Sequence, residues 1–561
     1  MSRLDRLAPV REIGQIGAAI GRDFSYALLR AVAGRDQTAL TQALAQLEQS
    51  ELVFRRGELP EAVYSFKHAL VRDAAYESLL KSRRQQLHGQ IARALEERFA
   101  DIVASQPEIV ARHFTEAGLV DPAIDYWLKA GHLALSRSAN AEAVKHLGQG
   151  IELTQSQAPT GERLRKELDF YLALGPAMAA TEGYATPETL RVFSRARDLL
   201  GDRGTPTEQM TVLWGVYLAH SMRGENIAAR EVAYRCLALA AGHEHSGMLA
   251  LANRFMGQTL WMMGAFVDAR FHLDRTLDLC AANQETITSY RRFGADDEVS
   301  ALSALSRTLL ILGYPEQAAA VAGQALARAR SMGLPFTTAL ALDGEALLGA
   351  LGADLKRAAV HADEAMAHSI EHSLADYEQR ARFIQGALLA QSGDPQHGIE
   401  LMQSAIAAIE RTNNVNRRTL YLGHSAAAHA SLGQPEVSLD LLNEAIQTAE
   451  ITDERFFEAE LHHLRGKTLL TLGRNGEAEA ELQRALTIAQ QQHARWWELR
   501  AATSLALYWH DGGKYLEAYS LLQPVYSWFV EGFDTTYLRD AKVLLDELRD
   551  LSGPQTQAGQ R

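Results

Sequence analysis

The turn-forming residues of this chain recur at a fixed interval, and that interval limits its fold more than any other feature. Gly313, Ala353, Gly393, Gly433, Gly473 and Gly513 stand 40 residues apart, and Gly224 and Gly264 continue the series upstream. A period of a few tens of residues marks a solenoid, in which each unit buries its apolar face only against its neighbours. Several turns carry proline just after the glycine, as in Leu312-Gly313-Tyr314-Pro315, Gly393-Asp394-Pro395 and Leu432-Gly433-Gln434-Pro435. Glycine accepts the left-handed conformation that ends a helix, and proline suits the first turn of the next, where its missing N–H would be unbonded anyway. Each period is therefore expected to be a helical hairpin.

Small residues keep the same register. Seven positions before the turn stand Gly257, Ser306, Ala346, Gly386, Ala426, Gly466 and Ala506; five after it stand Ala229, Ala269, Ala318, Ala358, Gly398, Ser438, Ala478 and Ala518. Twelve after it stand Cys236, Ala325, Ala365, Ala405, Ala445 and Ala485, so helices can approach closely at three levels of each hairpin. With 47% hydrophobic and 22% charged residues, only 14 prolines, and an abundance of Ala, Leu, Glu, Gln and Arg, the composition favours helix, and the expected class is all-α. The spacing resembles the tetratricopeptide repeat, stretched from that family's 34 residues to 40. The expected organisation is a winged-helix-like domain over 1–100, irregular hairpins over 101–210, tetratricopeptide-like repeats over 211–550 and a disordered tail over 551–561.

The first hundred residues follow a different rhythm. Helical stretches near 10–20, 24–33 and 37–50 precede Leu52-Val53-Phe54-Arg55-Arg56-Gly57 and Val63-Tyr64-Ser65-Phe66, which read as a short β-hairpin. Three helices and a hairpin make a winged helix. Its candidate recognition stretch, Gln37 to Gln46, holds neither Lys nor Arg, which argues against reading DNA. These hundred residues carry 15 Lys/Arg against 12 Asp/Glu, a net +3 in a chain of net −13, which leaves −16 on the remainder. So acidic a surface repels phosphate backbones, and no nucleic-acid partner is expected.

The runs Arg6-Leu7-Ala8-Pro9-Val10, Ile16 through Phe24, Tyr64 through Tyr76, Trp127-Leu128-Lys129-Ala130-Gly131 and Arg137 through Ala143 carry a more specific likeness. They resemble the bacterial signalling proteins that join a class III adenylate/guanylate cyclase to a P-loop ATPase and a tetratricopeptide array. Neither a Gly-x-x-x-x-Gly-Lys-Ser/Thr loop nor the metal-binding aspartates of a cyclase are present. The resemblance thus implies the regulatory half of such an architecture, encoded alone or separated from it. It further implies a sensor and protein-interaction module without catalysis or cofactor, whose partner is an ATPase or cyclase module in cis or in trans, with a small ligand as a second partner. A transcriptional regulator built on a winged helix and a repeat sensor is the alternative.

Two cysteines, Cys236 and Cys280, are too few for a disulfide framework or a cysteine-based zinc site, and no run of about 18 apolar residues occurs, so a cytoplasmic protein without membrane contact is expected. Gly466-Lys467-Thr468 imitates the end of a phosphate loop but lacks its leading glycine. His368-Ser369-Ile370-Glu371-His372 matches an inverted zinc-protease pattern without a third ligand, and no metal site is assigned. His68 is a nucleotide-sensing candidate, because in the ATPases of the resembled family a winged-helix histidine touches the nucleotide's phosphates; capping or packing against the hairpin is the simpler role. Between Gly264 and Gly313 the period lengthens to 49, and the added length includes Arg291, Arg292, Phe293, Asp296 and Asp297. Insertions in solenoids map to loops, so these residues, with Tyr184 of the Glu182-to-Pro187 loop, are candidates for partner or ligand binding; structural cover of the superhelix edge is the other reading.

Overall fold

The computed structural model describes residues 10–137, 139–201, 204–242, 246–282 and 296–552. Its contacts divide the chain into two compact units, Met1–Thr181 and Glu182–Arg561. The described residues form 28 helices and three short strands.

The first unit opens with α1 (Arg11–Ile20), β1 (Asp23–Ser25), α2 (Tyr26–Ala33), α3 (Gln37–Gln49), β2 (Val53–Arg56) and β3 (Val63–Phe66). The strands form one antiparallel sheet in the order β1-β3-β2, with Phe24 opposite Tyr64 and Arg55 opposite the same residue on the other side. The second helix starts at Tyr26 instead of the expected residue 24, because Asp23–Ser25 are drawn into the sheet and Ser25 Oγ accepts the Leu28 N–H at 3.2 Å as an N-cap. Asp36 caps α3 in the same way, accepting from Ala39 N at 2.9 Å. Phe24 stacks on Tyr64 and lies so close to Gly17 that a side chain there would meet the ring at 2.9 Å. Ile13, Leu29, Leu40 and Leu47 complete this small core.

The unit continues with α4 (Ala69–Glu77), α5 (Lys81–Arg98), α6 (Ala100–Ser105), α7 (Pro107–Ala117), α8 (Val120–Ser136) and α9 (Asn140–Gln155). A buried chain of polar groups ties three of these helices together: Tyr76 Oη lies 2.8 Å from His88 Nε2, and His88 Nδ1 lies 2.8 Å from His113 Nδ1. Burial, with Arg112 nearby, pushes His88 down to about 4; burial, His88 and Arg112 push His113 down to about 3. The folded unit therefore refuses protons that the unfolded chain takes up near pH 6.5, and stability is lost as pH falls from there toward 4. We expect His113→Asn to flatten this acid loss; thermal melts of both proteins across pH 4–7 measure it.

Among the described residues of the second unit eight helical hairpins follow one another, from Pro206–Met222 with Asn226–Ala241 to Arg495–Asp511 with Tyr515–Ser527, and Thr536–Ser552 closes the array. The turns adopt the conformation expected of them: φ is +67° at Gly224, +96° at Gly313, +108° at Gly393 and +76° at Gly513. Ala353 takes the same role at φ +56° with a Cβ in place. The small positions are the helix crossings. A Cβ on Gly386 would lie 2.8 Å from the Gly398 carbonyl, and one on Gly398 2.5 Å from that of Gly386.

Five hairpins make one turn of the superhelix, and successive turns touch. Met222 O accepts from Val415 N (2.8 Å) and Asn416 N (3.2 Å), and Met262 O accepts from Arg455 N (2.8 Å) and Phe456 N (3.1 Å). Further along the same seam, Glu531 Oε1 accepts from Glu316 N and Gln317 N at 2.9 and 3.1 Å, capping the helix that begins at Pro315, and Trp496 Nε1 donates to Leu351 O at 3.1 Å. Ala353→Gly is expected to stabilise the protein by about 1 kcal/mol, since an L side chain in the left-handed region costs about that much. Gly386→Ala is expected to destabilise it by about 3 kcal/mol, because backbone cannot yield as a side chain would. Urea titrations of the two variants measure both.

Candidate functional site

The first helix of each hairpin turns one face toward the inside of the superhelical turn, and contacts across it show what that inside contains. Trp261 stacks on Phe456, almost two hundred residues later, with centroids 4.3 Å apart. Around this pair lies a run of buried charge. Arg254 Nε donates to Asp297 Oδ1 at 2.6 Å, and both groups are buried. Asp343 receives Arg417 Nη1 at 3.0 Å, with Arg380 Nη1 at 3.7 Å; Arg380 also pairs with Asp376 at 2.7 Å. Arg307 lies over the Trp261 ring, 5.0 Å from its centroid.

The electrostatics follow from this crowding. Burial works against the Asp343 carboxylate, yet Arg417, Arg380 and Arg307 together hold it below the ordinary carboxylate range. Burial pushes Arg307 down to about 9, Arg417 adding to the effect and Asp343 opposing it. Burial also raises the phenols of Tyr184, Tyr377 and Tyr421, the last to about 12, so all three enter the site as neutral hydrogen-bonding groups. Glu454, at the start of the next turn, is pushed up to about 7 by burial, although Thr419 Oγ1 (2.5 Å), Thr419 N (2.8 Å) and Arg417 N (2.9 Å) all donate to it. A second ionic knot lies further along, where Glu460 accepts from Arg500 at 2.6 and 2.8 Å and approaches His463 at 3.1 Å. Such an interior can hold a polar or charged ligand by direct hydrogen bonds; in the second knot His463 also joins the Ser504 hydroxyl, 2.8 Å from its Nε2, to Glu460 on the other side of the ring.

The structure puts some of the expected site residues inside this run. Asp297 is the partner of Arg254, and burial raises its carboxyl against the pull of that arginine. Asp296 caps the Asp297–Ile311 helix through Val299 N at 3.0 Å and accepts from Arg328 Nε at 3.1 Å. Both carboxylates are thus engaged within the chain instead of being offered on an exposed loop. Tyr184 rests edge-on against Trp214 and Phe336. Arg291, Arg292 and Phe293 lie outside the described residues. His68 stands in the other unit, exposed at the end of β3 and in the N-cap position of α4, where its side chain makes no capping hydrogen bond.

The discounted motifs have structural roles. Gly466 packs against Leu482 in the middle of the Glu458–Thr471 helix, and the Thr468 hydroxyl meets that of Ser438 at 3.2 Å. His368 Nε2 hydrogen-bonds the Pro335 carbonyl at 2.9 Å, and its ring lies edge-on to His372. Among the described residues no group of three His, Cys, Asp or Glu side chains is placed to hold a metal ion, and no helix is long and apolar enough to cross a membrane.

The comparisons with known proteins bear on the repeats. A tetratricopeptide repeat model matches residues 459–492, one complete hairpin. A solved Rap protein complexed with competence and sporulation factor superposes with a TM-score of 0.51 at 12% identity, covering 66% of this chain and 98% of that one. The solenoid is of tetratricopeptide type. A signal transduction ATPase with numerous domains from Pyrococcus horikoshii, which has a tetratricopeptide repeat sensor, aligns with a TM-score of 0.34 at 12% identity, over 73% of this chain and 65% of that one. An uncharacterized protein of Rhizobium meliloti (strain 1021) is 24% identical over 517 residues, 90% of this chain and 49% of that protein. The chain therefore spans about half the length of the curated relative it matches.

The Glu454 carboxyl provides a test of this interior. Its folded value lies above the ordinary 4.5, so the stability tied to its protonated form is complete below pH 4.5 and lost as pH rises through about 7. We expect Glu454→Gln to remove a loss on the order of 3 kcal/mol between those limits; chemical unfolding of both proteins at pH 5 and pH 8 measures it.

Proposed function

We propose that this chain is a non-catalytic sensor and protein-interaction module of a bacterial signal-transduction protein of the cyclase–ATPase type, working in the cytoplasm. The observation that supports it best is the closed turn of the solenoid, with charged groups from five successive hairpins gathered inside it. A ligand or partner that prefers one pitch of that turn over another shifts the population by its differential affinity, and the change reaches every repeat along the seam. The Rap protein resembled in fold is described as complexed with competence and sporulation factor, which agrees with a sensor reading.

In this reading the α1-β1-α2-α3-β2-β3 segment is a winged helix that carries the event to an attached or partnering P-loop ATPase. His68 is its candidate contact to the nucleotide's phosphates, since it is exposed and its side chain does not cap α4. A DNA-reading role gains nothing from α3, whose 13 residues include no Lys or Arg. The test is to titrate the purified chain against a P-loop ATPase module of the same genome in its nucleotide-free, ADP and ATP forms. We expect at least a five-fold difference in affinity between nucleotide forms, reduced by His68→Ala. Equal affinity for all forms, or no binding to any of them, would overturn the proposal.

A further inference from the structure

The inner face of the Asp297–Ile311 helix carries a row of hydrogen-bond donors without a partner among the described residues. Ser300, Ser303 and Arg307 follow at intervals of three and four residues and so share one face. Arg307 is 8% exposed, and its Nε–H, like the Ser300 and Ser303 hydroxyls, has no hydrogen-bond partner among the described residues. The Trp261 Nε1–H, on the ring beneath the guanidinium, is also unpartnered, as is Arg380 Nε from the facing side. Every unsatisfied atom in this group can donate.

Charge points the same way. Four guanidinium groups meet inside this turn, and three have a carboxylate: Arg254 has Asp297 at 2.6 Å, Arg380 has Asp376 at 2.7 Å and Arg417 has Asp343 at 3.0 Å. Arg307 has none within ion-pair distance among the described residues: Asp343 attracts it only from further off and is shared with Arg417 and Arg380, and burial pushes Glu454 toward its neutral form. A buried cation that shares its nearest carboxylate with two other arginines is a costly arrangement in a protein interior; water can satisfy its N–H groups but cannot cancel its charge. The Trp261 ring beneath the guanidinium returns only part of that cost, which leucine or methionine packed there would not incur.

We infer that Arg307, with Ser303 and Trp261, anchors the carboxylate of a ligand held inside the superhelical turn. The planar guanidinium fork matches two carboxylate oxygens, and one surplus positive charge matches one negative charge. A phosphate dianion would bring a second charge into a space already lined by Asp297, Asp343 and Asp376. The Trp261–Phe456 pair makes the wall beside the guanidinium aromatic, which matches an acid with an apolar or aromatic body. The site names the chemistry that the sensor would recognise and to that extent rests on the function proposed above.

The experiment is thermal melting and calorimetry of the full chain with benzoate and N-acetylphenylalanine, with N-acetylphenylalaninamide as the uncharged control and inorganic phosphate as the rival anion, all at constant ionic strength. We expect the two acids to raise the melting midpoint in a saturable way and the amide to leave it unchanged. Arg307→Met is expected to lose the response while melting, without ligand, at or above the wild-type midpoint, because it removes a buried charge that no carboxylate pairs directly. Arg307→Lys keeps the charge without the fork and is expected to bind the acids at least ten-fold more weakly. Absence of any acid response in the wild type, an equal response in the variants, or an Arg307→Met protein that melts well below wild type or does not fold overturns the inference. An Arg307-dependent response to phosphate larger than that to the acids overturns the carboxylate assignment. Acid binding that survives while nucleotide-dependent ATPase binding is absent defeats the sensor reading and leaves the site standing; the opposite result removes the site alone.

Discussion

The carbonyl groups of Met222 and Met262 end helices in which the last oxygens have no intrahelical donor, and both are met by two backbone N–H groups from a loop 193 residues further along the chain. A solenoid that stacks only on its nearest neighbours would leave these oxygens to water. Here they fix the pitch. Because the same bond recurs at the same separation in successive hairpins, the superhelix completes a turn in five repeats, and what would be an open concave face becomes an interior. The buried stacking of Trp261 on Phe456 depends on that closure, since the two rings belong to hairpins five repeats apart, whereas Arg380 and Arg417 reach Asp343 from the next two hairpins.

An interior built in this way need not be apolar. Most carboxylates within it are answered by arginine, and the arginines lie against aromatic rings, as Arg380 does over Tyr377 at 5.3 Å and Arg500 over Tyr537 at 3.9 Å. Cation–π contact returns part of the solvation that burial removes. The result is an inner surface that discriminates by charge, whereas the helix crossings outside it discriminate only by size, through residues such as Gly386 and Gly398.

The hairpins were legible in the sequence because their causes are local: a residue that tolerates positive φ, a proline after it and small residues at the crossings all fall within one 40-residue window. The hairpin of β2 and β3 was legible for the same reason. The strand Asp23–Ser25 was not, since three residues carry no periodicity of their own and pair only because β3 offers an edge. The inner site was hidden for a related reason. The insertions pointed to Asp296 and Asp297 but not to Arg254, Arg307, Asp343 and Arg380, which sit within regular helices, nor to Arg417 in the N-cap position of another; these come together only when the hairpins stack. A signal was available: ten residues before the turn stand Arg254, Ser303, Asp343 and His463, and thirteen before it stand Ser300, Arg380, Glu460 and Arg500, polar groups on a face where a plain solenoid would repeat leucine.

The seam also changes what kind of object the array is. Repeat proteins ordinarily lengthen or shorten by whole units, because each unit answers only to its neighbours. In this chain a unit added or removed between residues 262 and 415 would move one side of the seam by a full repeat relative to the other, and would carry Trp261 away from Phe456. The periodic sequence keeps the look of a modular array, while the closed turn gives the molecule a fixed length, counted in repeats, like that of an ordinary globular domain.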